Sequence, residues 1–239
     1  MNLEQYITKK FLNKGTTSKC FLLKNGTVFK QFNNPLDLSE LERFKYLLNY
    51  KNDNFLFPFD FVYDNKKFYG YITKKALGDT LEKTFKNSDL KKLSTDCIKL
   101  EKNIDLISSG KIIMYDYHSA NIMYDGNLIQ VIDPDDYGIN NFYTEKEVKI
   151  RNYQYNRIMM CNLFLSNIKL NKYTNYITDK VYQYKCCDAK VSDILINIKE
   201  DIEKYYKENI NTVNDFNNMI RKSESNGKNI VYSRTYRGR

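Results

Sequence analysis

The sequence predicts an α+β protein with two lobes and a cleft between them. Alternating apolar segments and turn dipeptides fill the first third of the chain, which indicates β-strands. After Gly78, apolar residues recur mainly at helical spacing. No internal repeat and no linker rich in Gly, Ser or Pro interrupts the chain. We therefore place a β-rich N-terminal lobe at residues 1–76, a helical C-terminal lobe at 77–220 and a basic tail at 221–239.

The first lobe is expected to contain two pairs of strands with a helix between them. The strands are predicted at residues 18–24, 27–32, 55–64 and 67–73. Asn25-Gly26 joins the first pair, and both residues tolerate the positive φ of a tight hairpin. Four apolar residues at helical spacing predict a helix over 37–50, with Asp37 or Ser39 as its N-cap.

The second lobe is expected to be helical apart from one hairpin. Helices are predicted over residues 89–108, from 144 onward and over about 192–206. Thr144-x-x-Glu147 matches the capping box that begins many helices. Residues 121–133 predict a small hairpin that turns at Asp125-Gly126. This hairpin interrupts the helical part of the chain.

Most of the positive charge lies at the C-terminus. The 38 basic and 29 acidic residues give a net charge of +9. Residues 221–239 hold six basic residues and one acid, or +5, so the first 220 residues carry only +4. We interpret the tail as a solvated terminus. A nucleic-acid contact through the tail is the alternative, with Tyr232 and Tyr236 as its only aromatic residues.

The cysteine pattern indicates reduced thiols and a cytoplasmic protein. There are five cysteines and no C-x-x-C pair, which also argues against a structural zinc site. No apolar run approaches the length of a membrane span. Residues 1–6 lack the basic and apolar segments of a secretory signal, so none is expected.

Three polar residues flank the predicted hairpin. Asn121 lies five residues after Asp116, and Asp133 lies 12 residues after Asn121. Because a hairpin brings its two ends together, Asn121 and Asp133 should lie side by side, with Asp116 just before them. Carboxylate and amide oxygens suit a hard cation such as Mg²⁺. The sequence therefore predicts a magnesium site at the mouth of the hairpin.

The Asp-x-x-x-x-Asn motif, the hairpin and the following Ile-Asp resemble the catalytic and metal-binding loops of the protein-kinase-like superfamily. This resemblance implies a bilobal kinase-like fold, with ATP and Mg²⁺ as cofactors. It assigns Asp116 as the catalytic residue that accepts the proton of a hydroxyl group. Asn121 and Asp133 would bind the metal ion.

The N-terminal lobe adds matches in the same order along the chain. Residues 12–20 resemble a degenerate glycine-rich loop that retains Gly15 and has Ser18 in place of its third glycine. The resemblance places Cys20 over the adenine of the nucleotide. Val28 on the neighbouring strand would lie beside Cys20, and the two side chains would form an apolar surface, the ceiling, over the adenine.

Lys30 resembles the strand lysine that holds the α- and β-phosphates. Strand parity puts Lys30 on the same face as Val28 and Phe32, so it should be buried and need a partner. The resemblance implies an ion pair with Glu42 on the following helix, with Glu40 as the alternative.

Departures from the protein-kinase pattern are similar to the aminoglycoside and choline kinase branch. His118 replaces a lysine, and the motif at 133–135 is Asp-Pro-Asp. Thr144 lies only 11 residues after Asp133, a short segment for seating a peptide. His118 either contacts substrate or makes a local hydrogen bond. Atypical bacterial or phage-type kinases also shorten this segment, so a protein Ser/Thr acceptor stays open.

The expected function is ATP-dependent transfer of the γ-phosphate to a hydroxyl-bearing small molecule or protein. The alternative is a pseudokinase that binds nucleotide or a partner without turnover. Lys30, Asp116, Asn121 and Asp133 together favour the enzyme, since a scaffold has no need of all four.

Overall fold

The computed structural model describes residues 10–225 and confirms the α+β class. The first strands are β1 (Lys10–Lys14), β2 (Ser18–Leu22), β3 (Val28–Asp37), β4 (Asp60–Tyr63) and β5 (Lys67–Thr73). They form a five-stranded antiparallel sheet in the order β1-β2-β3-β5-β4. Helix α1 (Leu38–Leu47) follows β3 and packs against the sheet through its apolar face.

The remaining described residues are mostly helical. The helices are α2 (Leu81–Thr84), α3 (Leu90–Ser109), α4 (Glu145–Asn167), α5 (Asn175–Cys186), α6 (Val191–Tyr206) and α7 (Val213–Ser225). The short strands are β6 (Asp79–Thr80), β7 (Ile112–Ile113), β8 (Ile122–Tyr124), β9 (Ile129–Val131) and β10 (Gly138–Ile139). Strands β6, β8 and β9 form one small sheet, and β7 pairs with β10.

Two predicted features of the first lobe are confirmed and one is half wrong. Gly26 turns the β2–β3 hairpin with a φ of 82°, and β5 has the predicted bounds. The strand predicted at residues 55–64 begins only at Asp60. Before it, Phe55 forms an isolated parallel bridge with Val131 of the other lobe.

The caps show how local chemistry sets the helix ends. Asp37 is the N-cap of α1, but its carboxylate accepts a hydrogen bond from Lys67 Nζ at 2.6 Å and makes no side-chain cap. The predicted capping box of α4 is present, with Thr144 and Glu147 bonded in both directions. Asp89 caps α3 through the Lys92 N–H.

The helical lobe is built around α3. Its buried face carries Leu93, Cys97, Leu100 and Ile104, each 1% exposed or less. Helices α4 and α6 cover this face, and burying a large apolar side chain contributes about 1.5–3 kcal/mol. The β8–β9 hairpin also joins this core through Ile122. The loops around the hairpin are therefore held by a packed scaffold.

Strand β9 contacts the N-terminal lobe at two places. Asn54 accepts from the Val131 N–H and donates to the Ile129 carbonyl, each at 2.6 Å. Gln130 accepts from the Leu77 N–H at 2.8 Å and donates to the Asp53 carbonyl at 3.3 Å. The segment before β4 and the connector before β6 are thus fixed to one strand.

The chain ends extend past the described part. Residues 1–9 and most of the predicted basic tail lie outside it, while α7 continues past residue 220 to Ser225. The boundaries at 76 and 220 therefore stay predictions. Between residues 10 and 225, no helix combines the length and hydrophobicity needed to cross a bilayer.

Gly78→Ala should destabilise the fold more than Gly126→Ala. Both glycines have positive φ, 77° and 92°, so both substitutions carry the strain of a left-handed alanine, about 1–2 kcal/mol. A Cβ on Gly78 would also overlap the Tyr124 carbonyl, whereas one on Gly126 meets nothing within 4 Å. We expect an additional loss of about 1–3 kcal/mol for Gly78→Ala, measured by urea unfolding. Equal losses in the two variants would contradict this account.

Candidate functional site

Lys30 lies at the centre of a charged cluster between the lobes. It is 5% exposed. Its Nζ makes ion pairs with Asp133 and with Asp135 Oδ2, the latter at 2.7 Å. Burial alone would lower the pKa of Lys30, but the two carboxylates outweigh it and hold the pKa above its ordinary value. The lysine is therefore charged at neutral pH, and the expectation that it needs a partner is confirmed.

The resemblance implied Glu42 as the partner of Lys30, and this prediction is wrong. Glu42 pairs with Lys45 at 2.6 Å, and the alternative, Glu40, lies 3.7 Å from Arg43. The reason is the rotation of α1. Its buried residues are Leu41, Phe44 and Leu47. Successive helix residues are about 100° apart, so Glu40 and Glu42 flank Leu41 on either side and point away from the sheet.

The loop before the β8–β9 hairpin holds Asp116 at the surface. Asn121 Nδ2 donates to Asp116 Oδ2 at 3.0 Å and to its carbonyl at 3.2 Å. Asn121 in turn is fixed to the hairpin because its carbonyl accepts the Ile132 N–H at 2.9 Å. His118 Nε2 lies 3.5 Å from Asp116 Oδ1. The Asp116 side chain is 44% exposed, so an external hydroxyl group can reach it.

Asp133 has an unusual backbone conformation. Its φ and ψ are both 63°, in the left-handed region that non-glycine residues rarely occupy. A short 3-10 turn, Pro134–Asp136, follows at once. The reversal brings the carboxylates of Asp133 and Asp135 to the same ammonium group. Such strain persists only where the surroundings impose it, and it clusters at functional sites.

Asp135 and Tyr71 are site residues that the sequence interpretation did not assign. The Tyr71 hydroxyl donates to Asp135 Oδ1 at 2.7 Å. Burial raises the pKa of Asp135, while Lys30 opposes the shift. The repeated aspartate in Asp-Pro-Asp was a visible signal for Asp135. Tyr71 could be found only from the β3–β5 register, which places it opposite Lys30.

The remaining residues that the resemblance assigned to a nucleotide site lie on β2, β3 and the turn before them. Gly15 occupies the β1–β2 turn, and its N–H donates to the Ser18 carbonyl at 2.8 Å. Cys20 lies directly opposite Lys30. Val28 is on the same sheet face, diagonal to Cys20. The structure thus brings Cys20 and Val28 to the face that carries Lys30, while Gly15 lies at its rim.

Asn121 and Asp133 each present a side-chain oxygen of the kind that suits a magnesium ion. Asn121 directs its amide nitrogen to Asp116, which leaves its Oδ1 as a ligand. Asp133 Oδ1 contacts Lys30, which leaves Oδ2, and the side chain is 35% exposed. Within residues 10–225, no cluster of three or more His, Cys, Asp or Glu side chains could hold a metal ion. Magnesium needs only one or two protein oxygens when substrate phosphates supply others.

A cavity of about 310 Å³ adjoins the Asp116 loop. His118 and Ser119 line one side, Glu82 lies at the start of α2, and α4 forms the opposite wall with Tyr155 and Asn162. The lining mixes aromatic, hydroxyl, amide and carboxylate groups. Such a surface suits a small polar molecule.

No family model matches the chain, and no curated protein is significantly similar to it. The assignment of a function therefore depends on the chemistry of these residues. They combine a buried ammonium group, two carboxylates that contact it, and an exposed carboxylate beside an amide.

Proposed function

We propose that this protein is an ATP-dependent phosphotransferase with a kinase-like fold. The observation that carries the proposal is the ion pair between Lys30 and Asp133, which are 103 residues apart in the chain. They meet in the cleft next to the Asp116–Asn121 pair. These are the four residues that the kinase resemblance singled out, and the arrangement supports it.

Each residue has a role that its surroundings suit. Lys30, charged and buried, binds the α- and β-phosphates of ATP. Asn121 and Asp133 hold Mg²⁺, which when bound would neutralise phosphate charge. Asp116, exposed and oriented by Asn121, positions the acceptor hydroxyl and accepts its proton. Little covalent work is required of the protein, so positioning and charge neutralisation supply most of the rate.

The acceptor is a small hydroxyl compound bound in the cavity beside His118. Two observations support this choice over a protein Ser/Thr acceptor. The cavity opens next to the Asp116 loop. The segment between Asp133 and α4 is short and includes the β10 strand, which is paired with β7. This leaves little chain for seating an extended peptide.

ATP consumption with Mg²⁺, measured against panels of metabolites and of Ser/Thr peptides, tests the proposal. Mass spectrometry of the protein itself detects autophosphorylation in the same samples. Turnover with a small alcohol supports the proposal. Robust phosphorylation of many unstructured peptides would overturn the small-molecule acceptor. Nucleotide binding without any phosphoryl transfer would favour the pseudokinase.

ATP should protect Cys20 from a small maleimide. Burial raises the pKa of the Cys20 thiol, and Lys30 only partly offsets it. The thiolate fraction is therefore low at neutral pH, and labelling should be slow and continue to accelerate above the pH at which an ordinary thiol is fully ionised. Bound ATP should slow labelling about tenfold or more by covering the face with Lys30.

Cys186 is the internal control for this experiment because it is exposed and lies in the helical lobe. It should label rapidly with or without nucleotide. Peptide mass mapping separates the two sites. An unchanged Cys20 rate at saturating ATP would contradict both the ceiling position and the placement of the glycine-rich loop.

A further inference from the structure

The two carboxylates that contact Lys30 have different surroundings. The Asp135 side chain is 16% exposed, against 35% for Asp133. Asp135 uses both oxygens within the protein: Oδ2 contacts Lys30 and Oδ1 accepts from the Tyr71 hydroxyl, each at 2.7 Å. Asp133 is the more accessible of the two. Asp135 therefore has the geometry of a fixed partner, and Asp133 that of a group open to a ligand.

Tyr71 is held rigidly where it meets Asp135. It is 1% exposed and lies opposite Lys30 in the β3–β5 register. Its ring packs on Phe44 of α1, with ring centres 5.6 Å apart, and on Phe32 of β3 at 6.1 Å. The sheet and the core thus fix the hydroxyl that orients Asp135.

The charge balance explains why a second carboxylate is needed. Under the proposed function, the metal ion takes Asp133, which then cannot remain the only counter-charge of Lys30. A buried ammonium group without a carboxylate partner is strongly disfavoured. The acidic residues of α1, Glu40 and Glu42, are paired elsewhere. Asp135 is the acid that stays with Lys30.

We propose that Asp135, fixed by Tyr71, is the positioning residue that keeps Lys30 aligned with the nucleotide phosphates while Asp133 binds the metal ion. Asp135 would thus take the place of the helix glutamate that the resemblance implied. The lysine would be aligned by the helical lobe, across the cleft, and not by α1. This inference rests on the proposed function.

The experiment compares Asp135→Asn and Tyr71→Phe with Glu42→Gln and Glu40→Gln as matched controls. Calorimetry gives the ATP Kd, steady-state assays give KM, kcat and the Mg²⁺ concentration at half-saturation, and an amine-reactive ester labels Lys30 without nucleotide. Asp135→Asn should raise the ATP Kd and KM about tenfold or more and leave the Mg²⁺ half-saturation within about twofold. Tyr71→Phe should raise the ATP Kd about threefold. Both should speed labelling of Lys30, and both controls should behave as wild type.

Several outcomes would overturn the inference. A parallel rise in the Mg²⁺ half-saturation would make Asp135 a metal ligand. An equal loss of ATP affinity in Glu42→Gln would show that Glu42 of α1, and not Asp135, aligns Lys30. If Asp135→Asn does not fold, Tyr71→Phe decides, because it keeps the ring and removes only the hydroxyl. If the wild-type protein binds no ATP, the proposed function fails. The rate of Lys30 labelling then tests only the contact between Lys30 and Asp135. An unchanged labelling rate in both variants would overturn the role of Asp135 as the partner of Lys30.

Discussion

Asp116→Asn should lower the turnover number by about 100- to 10,000-fold while leaving the affinity for ATP nearly unchanged. The substitution removes the group that accepts the proton of the acceptor hydroxyl. It leaves the loop intact, because the new amide still offers an oxygen to Asn121 Nδ2, which donates to Asp116 at 3.0 Å in the wild-type protein. Fixed-time assays of product formation measure the turnover number, and calorimetric titration measures the affinity for ATP.

The matched control is Asp125→Asn, the same chemical change in the turn of the neighbouring hairpin. Asp125 accepts the N–H groups of Asn127 and Leu128, each at 2.8 Å, and asparagine can accept the same bonds. This variant should retain wild-type turnover. If Asp116→Asn keeps full activity, Asp116 is not the catalytic residue, and the proposed reaction loses its proton acceptor.

Asp133→Asn should weaken Mg²⁺-dependent ATP binding by about 100-fold or more, because the metal ion loses its one carboxylate ligand. Asparagine tolerates the left-handed conformation that Asp133 adopts, so this variant isolates the effect of charge. Lys30 keeps its ion pair with Asp135, and the cluster should therefore stay folded. ATP titrations with and without Mg²⁺, in the wild-type protein and in the variant, measure the Mg²⁺-dependent part of the ATP affinity.

Asp133→Ala separates conformation from charge. It should lose as much Mg²⁺-dependent affinity as Asp133→Asn and also about 1 kcal/mol of stability, because alanine is strained at a φ of 63°. Thermal unfolding of the two variants measures the difference. Magnesium-dependent binding at wild-type strength in either variant would contradict the assignment of Asp133 as a metal ligand.

Local patterns in the sequence were sufficient for the parts of the fold that local chemistry decides. Asn25-Gly26 and Asp125-Gly126 fix hairpins because only a few residues accept positive φ. Strand parity placed Lys30 on the buried face, since side chains alternate along a strand. The α4 capping box is likewise a short-range signal. Each of these features depends on residues within a few positions of one another.

Long-range packing decided what the sequence could not show. Glu42 was assigned as the partner of Lys30 by the resemblance, but α1 packs on the sheet through Leu41, Phe44 and Leu47, and Glu42 pairs with Lys45 instead. The apolar segment at residues 55–59 has strand character, but its first residues bond to β9, where Phe55 bridges Val131 and the Leu56 N–H donates to the Val131 carbonyl. The Asp135–Tyr71 contact joins a turn to a strand 64 residues away. No local sequence pattern predicts a contact between residues so far apart in the chain.

Gln130 has a consequence for how the cleft moves. Its one side chain is bonded both to the segment before β4, at Asp53, and to the connector before β6, at Leu77. The connector before β6 and the segment before β4 can therefore separate from β9 only if these hydrogen bonds break. Because one side chain makes both bonds, loss of the Gln130 amide would weaken both contacts at once. The closed cleft, in which Lys30 contacts Asp133 and Asp135, is thus supported from the core strand β9.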